Sequence, residues 1–149
     1  MKEQAITDST CLIGLERIGQ LSILPELFSP LSAPPEVQRE FGAALPWLSV
    51  KAPADATLVA ALQMVVDDGE AEVIALAKEI GCRAILDDRR ARAAASRLNV
   101  PCIGTVGVLL RAKRNGVISA IKPLLDDLHS NRFFISEALR SQALLLAAE

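Results

Sequence analysis

The chain has 149 residues, of which 51% are hydrophobic and 23% charged, and its formal net charge is −2. That length lets a folded chain bury roughly 68–70% of its unfolded surface, so one domain spanning 1–149 needs neither disulfides nor a structural metal. The composition excludes a disordered chain. No apolar run approaches the roughly 18–20 residues of a membrane span, and Met1–Asp8 is too short and polar for a signal peptide.

One Trp, four Phe and no Tyr leave the core to Ala, Leu, Ile and Val. Such a core suits a parallel sheet buried on both faces. Cys11, Cys82 and Cys102 lie far apart among apolar neighbours. They read as reduced core residues of a cytoplasmic protein rather than a disulfide or zinc framework.

Ala5-Ile6-Thr7 is a short strand ending at Asp8, and Ser9–Ile18 a helix with Leu12, Ile13, Leu15 and Ile18 on one side. A second helix covers Leu21–Phe28, followed by a Pro/Ser-rich stretch from Ser29 to Pro35. Pro35 suits the first turn of a helix running to Phe41. Trp47–Val50 is a strand, Asp55–Val66 a helix, and Glu70–Ile80 another helix closed by Gly81. Arg83–Leu86 is a buried strand ending in Asp87-Asp88, and an Arg/Ala helix follows to Leu98. Val100–Ile103 is the last strand, and Gly104-Thr105 turns into a helix reaching Asn115-Gly116. Two helices, Ala120–His129 and Ser136–Ala148, complete the chain. Strands alternate with helices and none forms an obvious hairpin, so the fold class is α/β with a parallel sheet.

Ligands in such sheets bind beyond the carboxyl ends of the strands. Asp8 follows the first strand, and Asp87 and Asp88 follow the Arg83–Leu86 strand. Glu70 opens a helix and Glu40 lies on the helix that starts at Pro35. If these acids converge, their mutual repulsion calls for a cation. An oxygen-only ligand set favours magnesium or manganese over zinc. Such ions activate water and stabilise the leaving oxygen of a phosphodiester. Each acid also has an ordinary role: Asp8, Asp87 or Asp88 as a helix cap, Glu70 as a first-turn acid, Glu40 on a solvated face.

The acids and their surroundings resemble the PIN-domain family, which includes VapC-like toxins. Ile6-Thr7-Asp8-Ser9-Thr10-Cys11-Leu12-Ile13 is similar to the family's first strand, where a metal-binding Asp precedes a hydroxyl residue. Pro35–Phe41 resembles the second acidic motif and places Glu40 in the site. Asp68–Ala77 resembles the third, with Glu70 where many members carry Asp. Ile85–Arg92 resembles the fourth, but Leu86-Asp87-Asp88 replaces the Thr-X-Asp of many toxins, so both Asp87 and Asp88 stand as ligands. Gly104–Leu110 is similar to a branch of mostly uncharacterised PIN-like proteins. The resemblance implies a three-layer α/β/α sandwich and endonucleolytic RNA cleavage with Mg²⁺ or Mn²⁺ held by Asp8, Glu40, Glu70, Asp87 and Asp88. It also implies a homodimer and a small antitoxin partner. The alternative it leaves is a PIN-like nucleic-acid-binding or scaffold protein without catalysis.

Arg89, Arg90 and Arg92, with Ser9, are candidate RNA contacts beside the acids, against solvated faces and a helix cap as their ordinary roles. Ser9 and Thr105 are also candidates to orient a metal-bound water or a carboxylate, against an N-cap and a turn residue as their ordinary roles, with the turn residue preferred for Thr105; Trp47 reads as packing, and His129 has no assigned role. The run Leu144–Leu146 with Phe133 and Phe134 is core or a dimer surface. A receiver-type phosphotransfer domain would need a Lys after a later strand, where Gly104-Thr105 stand. A haloacid-dehalogenase-like phosphatase would need an Asp at position 10, which is Thr10.

Overall fold

The computed structural model describes residues 2–149. Five parallel strands form one sheet in the order β3-β2-β1-β4-β5. They are β1 (Glu3–Thr7), β2 (Phe28–Ala33), β3 (Leu48–Val50), β4 (Arg83–Ile85) and β5 (Cys102–Ile103). The helices are α1 (Ser9–Arg17), α2 (Ile23–Leu27), α3 (Pro35–Phe41), α4 (Ala56–Leu62), α5 (Asp68–Ile80), α6 (Arg89–Arg97), α7 (Thr105–Arg114), α8 (Lys122–Ser130) and α9 (Glu137–Leu146). Helix α5 packs on β1 and β4 and touches α3, α4 and α6, whereas α2 packs on β2 and α7, and α7 on α9. The result is a three-layer α/β/α sandwich.

The central strands are short and aliphatic. Ala5, Ile6, Ala84 and Ile85 are fully buried, with Leu12, Leu15, Ile74 and Leu109 packed around them in one continuous cluster. Burying the Ile and Leu side chains contributes roughly 1.5–3 kcal/mol each, so strands this short are held by packing more than by their own ladder. No helix among the described residues is long and apolar enough to cross a membrane.

The clearest departure from the sequence expectation is β2. Phe28 begins a strand instead of ending a helix, and the Ser29–Ala33 stretch is its continuation. Register explains how Pro30 is tolerated. Phe28 pairs with Glu3 and Leu31 with Ala5, so β2 carries one residue more than β1 between those pairs. Ser29 and Pro30 are exposed at this irregularity, where a missing N–H breaks no ladder bond. Leu31, Ser32 and Ala33 then pair and bury. Helix α4 also stops earlier than expected, at Leu62, and residues 63–66 form a turn.

The basic residues between Arg83 and Arg114 take different places in the fold. Arg83 Nε and Arg111 Nη1 both donate to Glu3 Oε1, at 2.8 and 2.7 Å, near the amino end of β1. Arg111 also stacks over Phe28, 5.3 Å from the ring centre. Lys113 turns to the chain end. The three cysteines are free, with Cys11 and Cys82 buried and Cys102 half-buried. Trp47, Phe133 and Leu144 pack on the core, while Phe134, Leu145 and Leu146 are exposed.

Glu149 ties α8, α7 and α9 together. Its carboxylate accepts from the backbone N–H of Ile121 (2.8 Å) and Lys122 (3.0 Å) and from Lys113 Nζ (2.9 Å). The Ile121 and Lys122 amides, more than the lysine, hold its pKa down at about 2. The folded state therefore favours the charged form. The stabilisation is present above the ordinary glutamate pKa of 4.5 and is lost as pH falls from there through about 2. Glu149→Gln is expected to melt a few degrees lower than the parent at neutral pH. In scanning calorimetry across acid pH the two melting curves should converge; a gap unchanged at low pH would refute the assignment.

Candidate active site

The sheet register builds the site. Thr7 pairs with Ile85, so the next residue, Asp8, leaves β1 beside the end of β4, with its N–H on Ile85 O at 3.0 Å. Ile85 pairs with Ile103, which sets Asp87 against Thr105 two residues further along both chains. All three strands run the same way, so these residues share the carboxyl edge.

Asp8 is 4% exposed and uses both carboxylate oxygens. Oδ1 accepts from Cys11 N (2.9 Å), capping α1, and Oδ2 accepts from Asp87 N (3.3 Å). Asp87 is held by Thr105, whose backbone N–H donates to Oδ1 (2.8 Å) and whose hydroxyl donates to Oδ2 (2.6 Å). Asp88 has a different place. It is exposed and caps α6 by accepting from Ala91 N at 3.0 Å. Glu70 forms a capping box with Asp67: Glu70 N donates to Asp67 Oδ1 (2.8 Å) and Asp67 N to Glu70 Oε1 (3.2 Å). Glu40 accepts from Ser9 Oγ at 3.1 Å and lies against the first turn of α5, where a Cβ on Gly69 would sit 2.7 Å from its Oε1.

The ordinary capping roles are thus real for Asp8, Asp88 and Glu70, and they coexist with proximity. Asp8 and Asp87 are in direct contact. Glu70 and Asp88 line one open cleft of about 690 Å³ with Asp67, Arg89 and Arg90. Glu40 does not line that cleft; it stands between Ser9 Oγ and the backbone at Gly69. Among the described residues, no group of three or more His, Cys, Asp or Glu side chains stands close enough together to hold a metal ion, so the acids meet in pairs and not as one five-membered cluster. His129 is exposed on α8.

The electrostatics are those of a site short of positive charge. Burial pushes the Asp8 carboxyl well above its ordinary range, and the Asp87 and Glu70 charges push it further, against the Cys11 and Asp87 amides. Burial also raises Asp87, opposed by its two Thr105 bonds and by Arg92. Glu70 is pushed up to about 7, first by burial and then by Asp67 and Asp88, with the Asp67 amide opposing. A cation would relieve each of these. The donors are all oxygens, and a carboxylate oxygen that accepts one N–H keeps a second lone pair. This donor set fits a hard divalent cation, with Asp8 and Asp87 as its most buried members.

Two residues beside Asp87, Thr105 and Arg92, are ones that the sequence left open between a functional and an ordinary role. Thr105, by the sequence a turn residue or else a group that orients a carboxylate, is fully buried and makes both bonds to Asp87. Arg92 is exposed and also holds the site's backbone: Nη1 donates to Leu86 O at 3.3 Å. Gly104 makes room for both, since a Cβ there would lie 2.8 Å from Arg92 Nη1 and 3.0 Å from Asp87 Oδ1. Arg92 can swing away cheaply, but Asp87 is pinned by Thr105. Gly104→Ala is expected to lose the Arg92–Leu86 bond, lowering stability by about 1 kcal/mol, and to reduce activity more than stability by displacing Asp87. Urea unfolding and turnover measured on one preparation would check this; unchanged turnover would rule out a tight fit at Asp87.

A family model described as a PIN domain matches residues 4–149. No curated protein matches the chain, and no solved structure does. PIN domains are generally nucleases that use divalent metal ions and bind nucleic acid. The match spans nearly the whole sequence and agrees with the all-parallel sheet and the acids at its carboxyl edge, so the chain belongs to the PIN-domain family.

Proposed function

We propose that the protein is an Mg²⁺- or Mn²⁺-dependent endoribonuclease whose site comprises Asp8, Glu40, Glu70, Asp87 and Asp88. The observation that carries this reading is the buried pair Asp8 and Asp87, side by side with raised pKa values and no cationic side chain bonded to either carboxylate among the described residues. Two adjacent buried acids are unfavourable unless they bind something positive. A bound divalent ion supplies Lewis-acid activation of water and charge neutralisation at the phosphodiester.

The chain's own residues do the rest. Asp8 and Asp87 would hold the ion, pre-oriented by the Cys11 amide and by Thr105. Glu70 and Asp88 present oxygens from the adjoining cleft, and Ser9, next to Asp8, donates to Glu40. Arg89 and Arg90 flank the cleft where RNA phosphates would lie. Arg92 is exposed beside Asp87, and with only Nη1 on Leu86 O it remains a candidate phosphate contact.

The likeness of the acidic motifs to VapC-like toxins supports the finer proposals: a cytoplasmic toxin, a small antitoxin partner and a homodimer. The decisive experiment is RNA cleavage in manganese buffer by the parent and by Asp8→Asn. Equal cutting by the two proteins would refute the mechanism.

A further inference from the structure

The 690 Å³ cleft does not end at the acids. A continuation of about 230 Å³ shares Met64, Val65, Arg90 and Ala93 with it and adds Arg97. The combined groove runs between the turn after α4 and the outer face of α6. Its character changes along its length. The end at Asp67, Glu70 and Asp88 is acidic, whereas the continuation contains two arginines and no acid. Its apolar wall is unusually open: Met64 is 85% exposed and Val65 47% exposed. Arg89, Arg90 and Arg97 form no ion pair among the described residues.

We infer that this groove seats a single-stranded stretch of the nucleic acid beside the cleavage point, with bases against Met64 and Val65 and phosphates on Arg90 and Arg97. The inference rests on the nuclease reading above and adds where the strand lies and which residues outside the acids hold it. Charge complementarity selects the occupant. A polyanion is attracted to the basic stretch and is repelled at the acidic end unless a cation intervenes. The flexible thioether of Met64 suits a base face, because sulfur packs favourably on aromatic rings of varied shape. Paired bases of a duplex expose no such face. A peptide helix would use the apolar wall but would leave the arginines without a purpose unless it were acidic.

The test uses the Asp8→Asn protein in EDTA, so binding is read without cutting. A short fluorescein-labelled single-stranded oligoribonucleotide is titrated by anisotropy over a range of salt. Replacing Arg90 and Arg97 together by Gln is expected to weaken binding and to flatten the slope of log affinity against log salt by about 1.4, roughly 0.7 for each lost phosphate contact on a single strand. Met64→Ser is expected to weaken binding about threefold with the slope unchanged. The same sequence as a duplex is expected to bind more weakly than the strand. Wild-type affinity and slope in the Arg90→Gln/Arg97→Gln protein, or a duplex bound as tightly as the strand, would overturn the inference and give the groove to another occupant. If the parent cuts no RNA but binding still depends on Arg90 and Arg97, the nuclease reading falls and the groove assignment stands. If cutting needs Asp8 while binding ignores the groove, only the groove assignment falls.

Discussion

Asp8→Asn is expected to reduce RNA cleavage by roughly a hundredfold or more while leaving the fold in place. A bound divalent ion contributes several kcal/mol of charge stabilisation, and each 1.36 kcal/mol or so is a factor of ten in rate. Asn removes the charge that would hold the ion. It keeps an oxygen for the Cys11 amide, and Asn caps helices about as well as Asp, so α1 retains its start. Asn loses the 3.3 Å bond from the Asp87 N–H but also relieves the Asp8–Asp87 repulsion, and because these effects oppose each other, circular dichroism and the metal-free melting temperature should stay close to the parent's. The same experiment separates the two acids that follow β4. Asp87→Asn should behave like Asp8→Asn, because Asp87 is the neighbour whose backbone and charge Asp8 feels. Asp88→Asn should lose far less activity, because Asp88 is exposed and its carboxylate already serves the α6 amide of Ala91. The reverse ranking would move the ion toward the cleft and away from the buried pair.

Manganese is expected to stabilise the parent protein markedly. An ion that binds the folded state at a hundred times its dissociation constant adds about 2.7 kcal/mol. For a chain of this size that corresponds to a rise in melting temperature of roughly 5–10 °C. The cause is specific. Asp8 and Asp87 are buried next to each other, and Glu70 adds its field to Asp8, so the folded protein carries repulsion that the unfolded chain escapes. The ion removes that repulsion only where the carboxylates stand. In Asp8→Asn the manganese shift should shrink to a small fraction of the parent's, at matched ionic strength with sodium chloride as the control. Equal shifts in the two proteins would mean that manganese binds elsewhere, and the oxygen donors at the carboxyl edge would lose their assigned role.

Local chemistry made most of the architecture legible. Period-3.6 apolar patterns located α1 and α5, Pro35 opened α3, and Gly81 closed α5 in a left-handed conformation. The alternation of these helices with short aliphatic runs implied a parallel sheet, and acids directly after β1 and β4 pointed to its carboxyl edge. What local chemistry could not supply was β2. Phe28-Ser29-Pro30-Leu31-Ser32-Ala33 lacks a strand's pattern, and it becomes one only because β1 and β3 pair with it on either side.

The acidic motifs and their spacing were properties of the sequence alone, because they need no knowledge of which strands are neighbours. The division of labour within the site was not. Asp87 and Asp88 are adjacent in the chain and indistinguishable by composition, yet one turns into the sheet edge to meet Asp8 and Thr105 while the other caps α6 in solvent. Thr105 lies 18 residues from Asp87 and is brought to it by the β4–β5 register, and Arg97 enters the groove because α6 faces the turn after α4. Burial and charge coupling depend on distances across strands, and those exist only once the sheet has formed.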